Sequence, residues 1–368
     1  MTGGHDILQD ALREEQLTIP RHARWRRRLG RSHVCGVVAL AAFCLIAGSP
    51  AAFAHVKWFA QFDVAEQPVL LEQAISGALC KLVALSLFIF FVAGLAERSP
   101  IGTYFQDALD WVTAPIYHHI DVLMRATYGA FFIALWAKGH IILTPELKTT
   151  SAWVPWLQLA IAAGMLSRPT MILSGLGIVV LFGKALSDYG LFHLMDYPIF
   201  LGAAAYLILT GSGRSLFGIR PLDVVRYAAA VTLMWASVEK WAYPQWTYPV
   251  LAAHPEMTFG YDAAFYMTAA GVVEFGLAFA LAWTPLARRA AALVLAIMFV
   301  MAVFAFGKID AIGHAPIVII LIAIVADENR NAHRHHAWAV DAWYAVAVAG
   351  FIAAYYVVHA QIFGTAII

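Results

Sequence analysis

Long apolar runs separated by short polar connections make up this chain. The runs lie near residues 34–54, 75–96, 123–143, 153–167, 170–187, 197–211, 222–242, 263–283, 286–306, 314–326 and 338–360. About 20 apolar residues let a helix cross the hydrocarbon core, and a span must satisfy its backbone internally, so each run predicts a membrane helix. The shorter runs can cross by local thinning or beside tilted neighbours. The expected fold is all-α: a polytopic transmembrane helical bundle of about 10–11 helices.

Polar positions divide the chain further. Residues 1–33 form a basic tail ending in Arg21, Arg24, Arg26, Arg27, Arg28 and Arg31. Residues 34–120 hold the first helices and a connection at 55–74, and 338–363 a final span. Ala52-Phe53-Ala54 is a small-x-small cleavage signal, so 34–54 reads either as a helix or as a signal peptide. Positive charge is retained on the cytoplasmic face, which places the N-terminus there, in the inner membrane of a bacterial-type cell. Counting alternately from that start puts Arg98, Arg125, Arg168, Arg214, Arg220, Arg226, Arg288, Arg289, Arg330 and Arg334 on the same side. The outward connections, at 55–72, 144–151, 188–197, 241–262 and 309–313, carry no arginine and are rich in Trp, Tyr, His and acids. The longest, 241–262, contains Pro244, Pro249 and Pro255 and is expected to fold over the bundle as a lid.

Composition sharpens this picture. With 62% hydrophobic and only 13% charged residues, the chain uses the bilayer as its main solvent. A net charge of +1 gives no electrostatic case for nucleic acid. Cys35, Cys44 and Cys80 stand in apolar runs without a CxxC and read as buried apolar side chains. Cleavage after Ala54 would expose an N-terminal His55 able to chelate copper, but no second histidine stands nearby in sequence, which disfavours that site.

Two segments, 121–211 and 222–326, resemble each other, each with four runs. Arg125, Trp136 and Lys138 on the first helix of one match Arg226, Trp235 and Lys240 in the other. Gln158 matches Glu274, and each is followed at equal spacing by a proline, Pro169 and Pro285. Phe182-Gly183-Lys184 matches Phe306-Gly307-Lys308, with Asp188 and Asp310 beyond them. Asp196-Tyr197-Pro198 then matches His314-Ala315-Pro316. Each segment crosses four times, so the expectation is two parallel four-helix repeats about an axis normal to the membrane.

Arg226, the stretch 233–240, Gly271-Val272-Val273-Glu274 and the 307–316 turn make the second segment resemble the DoxX-like family of small four-helix membrane proteins. The first segment looks like a diverged copy, with Gln158 at the glutamate position. The resemblance covers about half the chain and implies an association with membrane redox chemistry, hence a quinone and a redox partner subunit.

A charged group in hydrocarbon costs roughly 2.5–3.5 kcal/mol on insertion scales, so ionisable residues in or near spans mark candidate sites. Glu239, Lys240, Glu274, Asp310 and His314 are the expected proton-exchanging residues. His140, Lys184, Asp188, His193, Asp196 and Lys308 share their level and are expected to bind ligand, the two lysine-acid turns meeting across the axis. Competing accounts are that the lysines snorkel to headgroups, that Asp188 and Asp310 merely neutralise Lys184 and Lys308, and that the histidines cap helices; no metal ligand set is fixed by spacing. No phosphate-binding loop, dinucleotide fingerprint, HExxH or nucleophile elbow occurs. A quinone-binding protein, a transporter using the midspan Glu274 and a structural subunit all remain open.

Overall fold

No water in the hydrocarbon core can satisfy a free backbone amide, so a chain this apolar closes its hydrogen bonds inside helices. The computed structural model describes residues 56–215, 218–330 and 337–367. These contain no β-strand, and an isolated bridge joins Ile141 and Lys148. A 3-10 turn, Val56–Trp58, is followed by α1 (Leu71–Ala74), α2 (Gly77–Arg98), α3 (Pro100–Tyr117), α4 (Ile120–Lys138), α5 (Trp153–Gly164), α6 (Met171–Leu194) and α7 (Pro198–Ser212). Then come α8 (Pro221–Ala242), α9 (Pro244–Ala253), a 3-10 turn at Pro255–Thr258, α10 (Ala263–Leu281), α11 (Pro285–Phe306), α12 (Lys308–Val325) and α13 (Ala337–Phe363). Proline occupies the first turn of α3, α7, α8, α9 and α11, where its missing N–H costs nothing.

Seven of these helices, α2, α4, α6, α10, α11, α12 and α13, are long and apolar enough to cross a membrane, while α5 and α7 are apolar but shorter. Helix α8 carries Asp223, Arg226, Glu239 and Lys240 and buries Arg226 and Glu239. These ten helices correspond to the apolar runs from residue 75 onward; the run at 34–54 and His55 lie outside the described residues. Helix α2 is apolar all round and buries only Leu79, leaving Phe88, Ile89 and Leu95 exposed for lipid. Cys80 is exposed on that helix rather than buried, because the apolar medium its sequence calls for is lipid and not protein.

Three departures from the hydrophobic pattern have physical causes. Helix α4 stops at Lys138, where Gly139 and His140 take positive φ of 70° and 57°, so Ile141, Ile142 and Leu143 are buried in a loop instead of a helix. Helix α6 runs on to Leu194 across a break at Gly190, whose φ of 80° suits glycine. Helix α3 follows no long apolar run. It is amphipathic, with Asp107 and Asp110 paired to Arg330 while Ile101, Phe105, Trp111 and Val112 stay exposed, the make-up of a helix lying in a membrane interface.

Packing within residues 120–212 is sequential, α4 on α5, α5 on α6 and α6 on α7, and the same order holds for α8, α10, α11 and α12. Across the two segments, α7 packs on α8 and α12 packs on α4, so the fourth helix of each meets the first helix of the other. At the α7–α8 contact a Cβ on Gly202 would stand 2.3 Å from Ala228 Cβ, a small-residue approach that lets two backbones close up. Arginines fasten the opposite end. Arg125 on α4 donates to Met165 O and Leu166 O, just past α5, and Arg226 on α8 donates to Leu281 O at the end of α10, so in each segment the first helix bonds carbonyls at the C-terminal end of the second. Each arginine is also paired to an acid one turn earlier, Asp121 or Asp223.

Two segments outside the four-helix units cover the lysine-bearing end. The connection 241–262 lies down on the bundle, burying Trp246, Thr247, Leu251 and Met257. Residues 56–75 run beside it as a strap: Val69 N donates to Ala242 O, Tyr356 OH donates to Val69 O, and Gln67 exchanges hydrogen bonds with the main chain of Ala366.

Candidate functional site

The strap, the connection 241–262 and both four-helix segments enclose a cavity of about 830 Å³, its open mouth included. Its aromatic wall is formed by Trp58, Tyr197, Phe200, Tyr243, Trp246 and Phe299. Its ionisable residues are Asp196, from the junction of α6 and α7, Glu239 and Lys240, from the last turn of α8, Glu274 on α10 and His314 on α12. Helix α8 delivers two adjacent charged residues into the bundle because their directions differ by about 100°, enough to reach different partners.

Those partners organise the charges into three groups. Lys240 Nζ lies 2.5 Å from Glu274 Oε2. Lys57, from the strap, is bonded to Asp196 and stands 2.5 Å from Glu239 Oε2, with both the lysine and aspartate side chains 1% exposed. Asp310, fully buried beneath the wall, has Oδ1 3.1 Å from His314 Nδ1. His314 is held between Trp58 and Phe299, with ring centroids 4.6 and 4.7 Å away. Burial disfavours the Lys57 ammonium, but the carboxylates of Asp196 and Glu239 outweigh it and raise its pKa.

Sequence reasoning missed Lys57 and Glu146 as site residues. Lys57 stands among Val56, Trp58 and Phe59, and its proximity to Asp196 and Glu239 is a tertiary fact. Glu146 lies in the loop between α4 and α5, where neither buried carboxylate oxygen meets a donor in good hydrogen-bond geometry. Burial pushes its pKa up from 4.5 to about 8, against a smaller opposite pull from nearby main chain, the Thr144 hydroxyl and Lys57. The folded chain therefore holds a proton that the unfolded chain releases, so stability should fall as pH rises from about 4.5 to 8. Glu146→Gln is expected to flatten that part of the unfolding profile; an unaltered slope in thermal melts across the window would rule the assignment out.

Of the residues expected from sequence, Asp196, Glu239, Lys240, Glu274 and His314 come together around the cavity, and Asp310 supports His314. His193 is buried beside it against Phe62 and Tyr189, without lining it. The other four do not join. Lys184 and Asp188 bond to each other on consecutive turns of α6 at 2.5 Å, the neutralising pair that sequence allowed. Lys308 is exposed, and Asp310 is paired with His314. His140 is exposed, bonded to Thr149 O at 3.3 Å. The first segment has no counterpart of the Lys240–Glu274 pair: Lys138 is exposed and Gln158 donates to Ile141 O and Ile142 O at 2.7 and 3.0 Å. A neutral amide there serves a loop instead of a charge. Among the described residues no group of three or more His, Cys, Asp or Glu side chains is arranged to hold a metal ion.

No protein-family model, curated protein or solved structure matches the chain.

Proposed function

We infer that this polytopic helical protein binds a small redox-active ring of the quinone class in the cavity at its lysine-bearing end. One observation carries the reading: aromatic and aliphatic walls stand beside two acid-base pairs, Lys240–Glu274 and Asp310–His314. A ring that gains or loses protons with its electrons needs such apolar faces together with a few groups able to supply and accept protons. The DoxX-like resemblance supports it, since Arg226, Lys240 and Glu274, which carry that resemblance, are all engaged in buried contacts. The redox partner is then a separate subunit or soluble donor. The concentration of arginine at the other end supports a bacterial inner-membrane setting with the N-terminus cytoplasmic and the cavity facing outward. The reciprocal packing of first and fourth helices and the shared arginine caps support two parallel copies of one four-helix unit.

The test is lipid-extractable quinone in protein purified in mild detergent, wild type against a Lys240→Ala, Glu274→Gln double variant. Near-stoichiometric quinone in the wild type and roughly tenfold less in the variant is expected. Quinone-free wild-type protein, or equal content in both, overturns the reading.

A second reading has its own observation. Among the described residues, Asp196, Glu239 and Glu274 pair with Lys57 and Lys240 around the cavity, an acidic surplus suited to a transported cation or proton. Flux into proteoliposomes that persists unchanged in Glu274→Gln would exclude that route.

A further inference from the structure

Beside the pairs used above lies a niche with a different chemistry. Asp196 comes from one four-helix segment and Glu239 from the other, yet both carboxylates converge on a cation that belongs to neither: Lys57, delivered by the strap. Phe62 and Trp246 place ring centroids 5.6 Å from its Nζ, so the ammonium is held by two carboxylates and faced by two aromatic rings. The bonding capacity of the niche is not used up. Asp196 is 1% exposed, and its Oδ1 has no hydrogen-bond partner among the described residues although the residue lines the cavity. Glu146, with both oxygens in poor geometry, is near enough to interact with the Lys57 and Asp196 charges.

We propose that the Asp196–Glu239 niche is a binding site for the primary ammonium of a small organic amine, and that Lys57 occupies it as a tethered substitute when no amine is bound. An ammonium has three N–H donors, enough to take over both contacts of Lys57 and to reach the idle Asp196 oxygen as well. The aromatic rings favour a cation over a neutral donor. A quaternary ammonium has no N–H to give, and a bare metal ion finds no cage of ligands here. Because Asp196 and Glu239 line the cavity, the amine arrives from there, and its binding releases the Val56–Trp58 turn of the strap. The carboxylates of the niche are distinct from Lys240, Glu274, Asp310 and His314, so the proposal does not rest on the quinone reading.

A tethered lysine competes at an effective concentration of order millimolar or higher, so the wild type should bind amines weakly and a chain without Lys57 more tightly. The experiment uses full-length protein in detergent at fixed ionic strength, titrated with n-propylammonium chloride and followed by thermal unfolding. Lys57→Met should unfold at a lower temperature than wild type. Propylammonium should restore it saturably, with an apparent affinity at least about tenfold tighter than for wild type. Sodium and tetramethylammonium should not restore it, and Lys57→Met combined with Asp196→Asn should lose the rescue. Absence of rescue, rescue shared by sodium, or equal affinity with and without Lys57 overturns the proposal. If Lys57→Met does not accumulate, amide hydrogen exchange in wild-type residues 56–75 decides. Faster exchange with propylammonium but not with sodium supports displacement of the strap, and unchanged exchange overturns it.

Discussion

Replacing Arg289 with alanine is expected to destabilise the protein by about 1–3 kcal/mol, the usual cost of leaving buried hydrogen-bonding groups without a partner. The side chain is 2% exposed and holds three elements together. Its Nε donates to Val325 O at the end of α12, one terminal nitrogen bonds Asp110 on α3, and the other donates to Thr113 Oγ1 at 3.1 Å. Alanine leaves a buried carbonyl and a buried hydroxyl with less to bond and loosens α3, which Arg330 still ties through Asp107 and Asp110. Asp110→Asn should cost much less, because Arg289 keeps its two other acceptors. Denaturant unfolding in detergent micelles provides the comparison; equal losses for the two variants would mean that the Asp110 carboxylate, shared by Arg289 and Arg330, holds α3 in place, and not the threefold attachment of Arg289.

Gly313→Ala is expected to detach the strap. A Cβ at that position would lie 2.2 Å from Cη2 of Trp58 and 2.3 Å from Cζ3, in a contact with an aromatic ring already wedged against His314. Overpacking of this kind costs about 1–3 kcal/mol, which the strap can avoid by moving its tryptophan out. Cleavage within residues 56–75 by an added protease should accelerate by roughly tenfold or more, following the population of the opened strap. Gly183→Ala is the control, since nothing lies within 4 Å of its Cβ position. Cleavage of Gly313→Ala at the wild-type rate would show that Trp58 does not anchor the strap.

Helix positions were legible in this sequence wherever hydrophobicity alone decides them. The runs from 75 onward correspond to helices because a span in lipid has no alternative to closing its own hydrogen bonds. Helix α3 escaped notice because its apolar residues are spread around an acidic face, so it declares itself through periodicity and not through a continuous run. The end of α4 was misread because Ile141, Ile142 and Leu143 look like span residues, and only the positive φ of His140 and the bonds from Gln158 place them in a loop. The candidate site was legible as a level and not as a set of partners. Glu239, Lys240 and Glu274 stood out because charges in apolar helices are expensive, and the bundle brings them together. Lys184 and Asp188 carried the same signal, yet they satisfy each other one turn apart and need nothing from the cavity. Lys57 carried almost none, since its partners stand 139 and 182 residues further along the chain.

The exchange of first and fourth helices between the two segments sets a timetable for synthesis. Helix α4 emerges from the ribosome early, but α12, which packs on it, ends at Val325. A chain inserted as far as Ser212 therefore has one complete four-helix unit with a flank of α4 still uncovered and α7 awaiting α8. Because chains fold from the N-terminus as they are made, that half-built form must wait in the membrane until some hundred more residues arrive. A product truncated before α12 would leave that flank of α4 facing lipid for good.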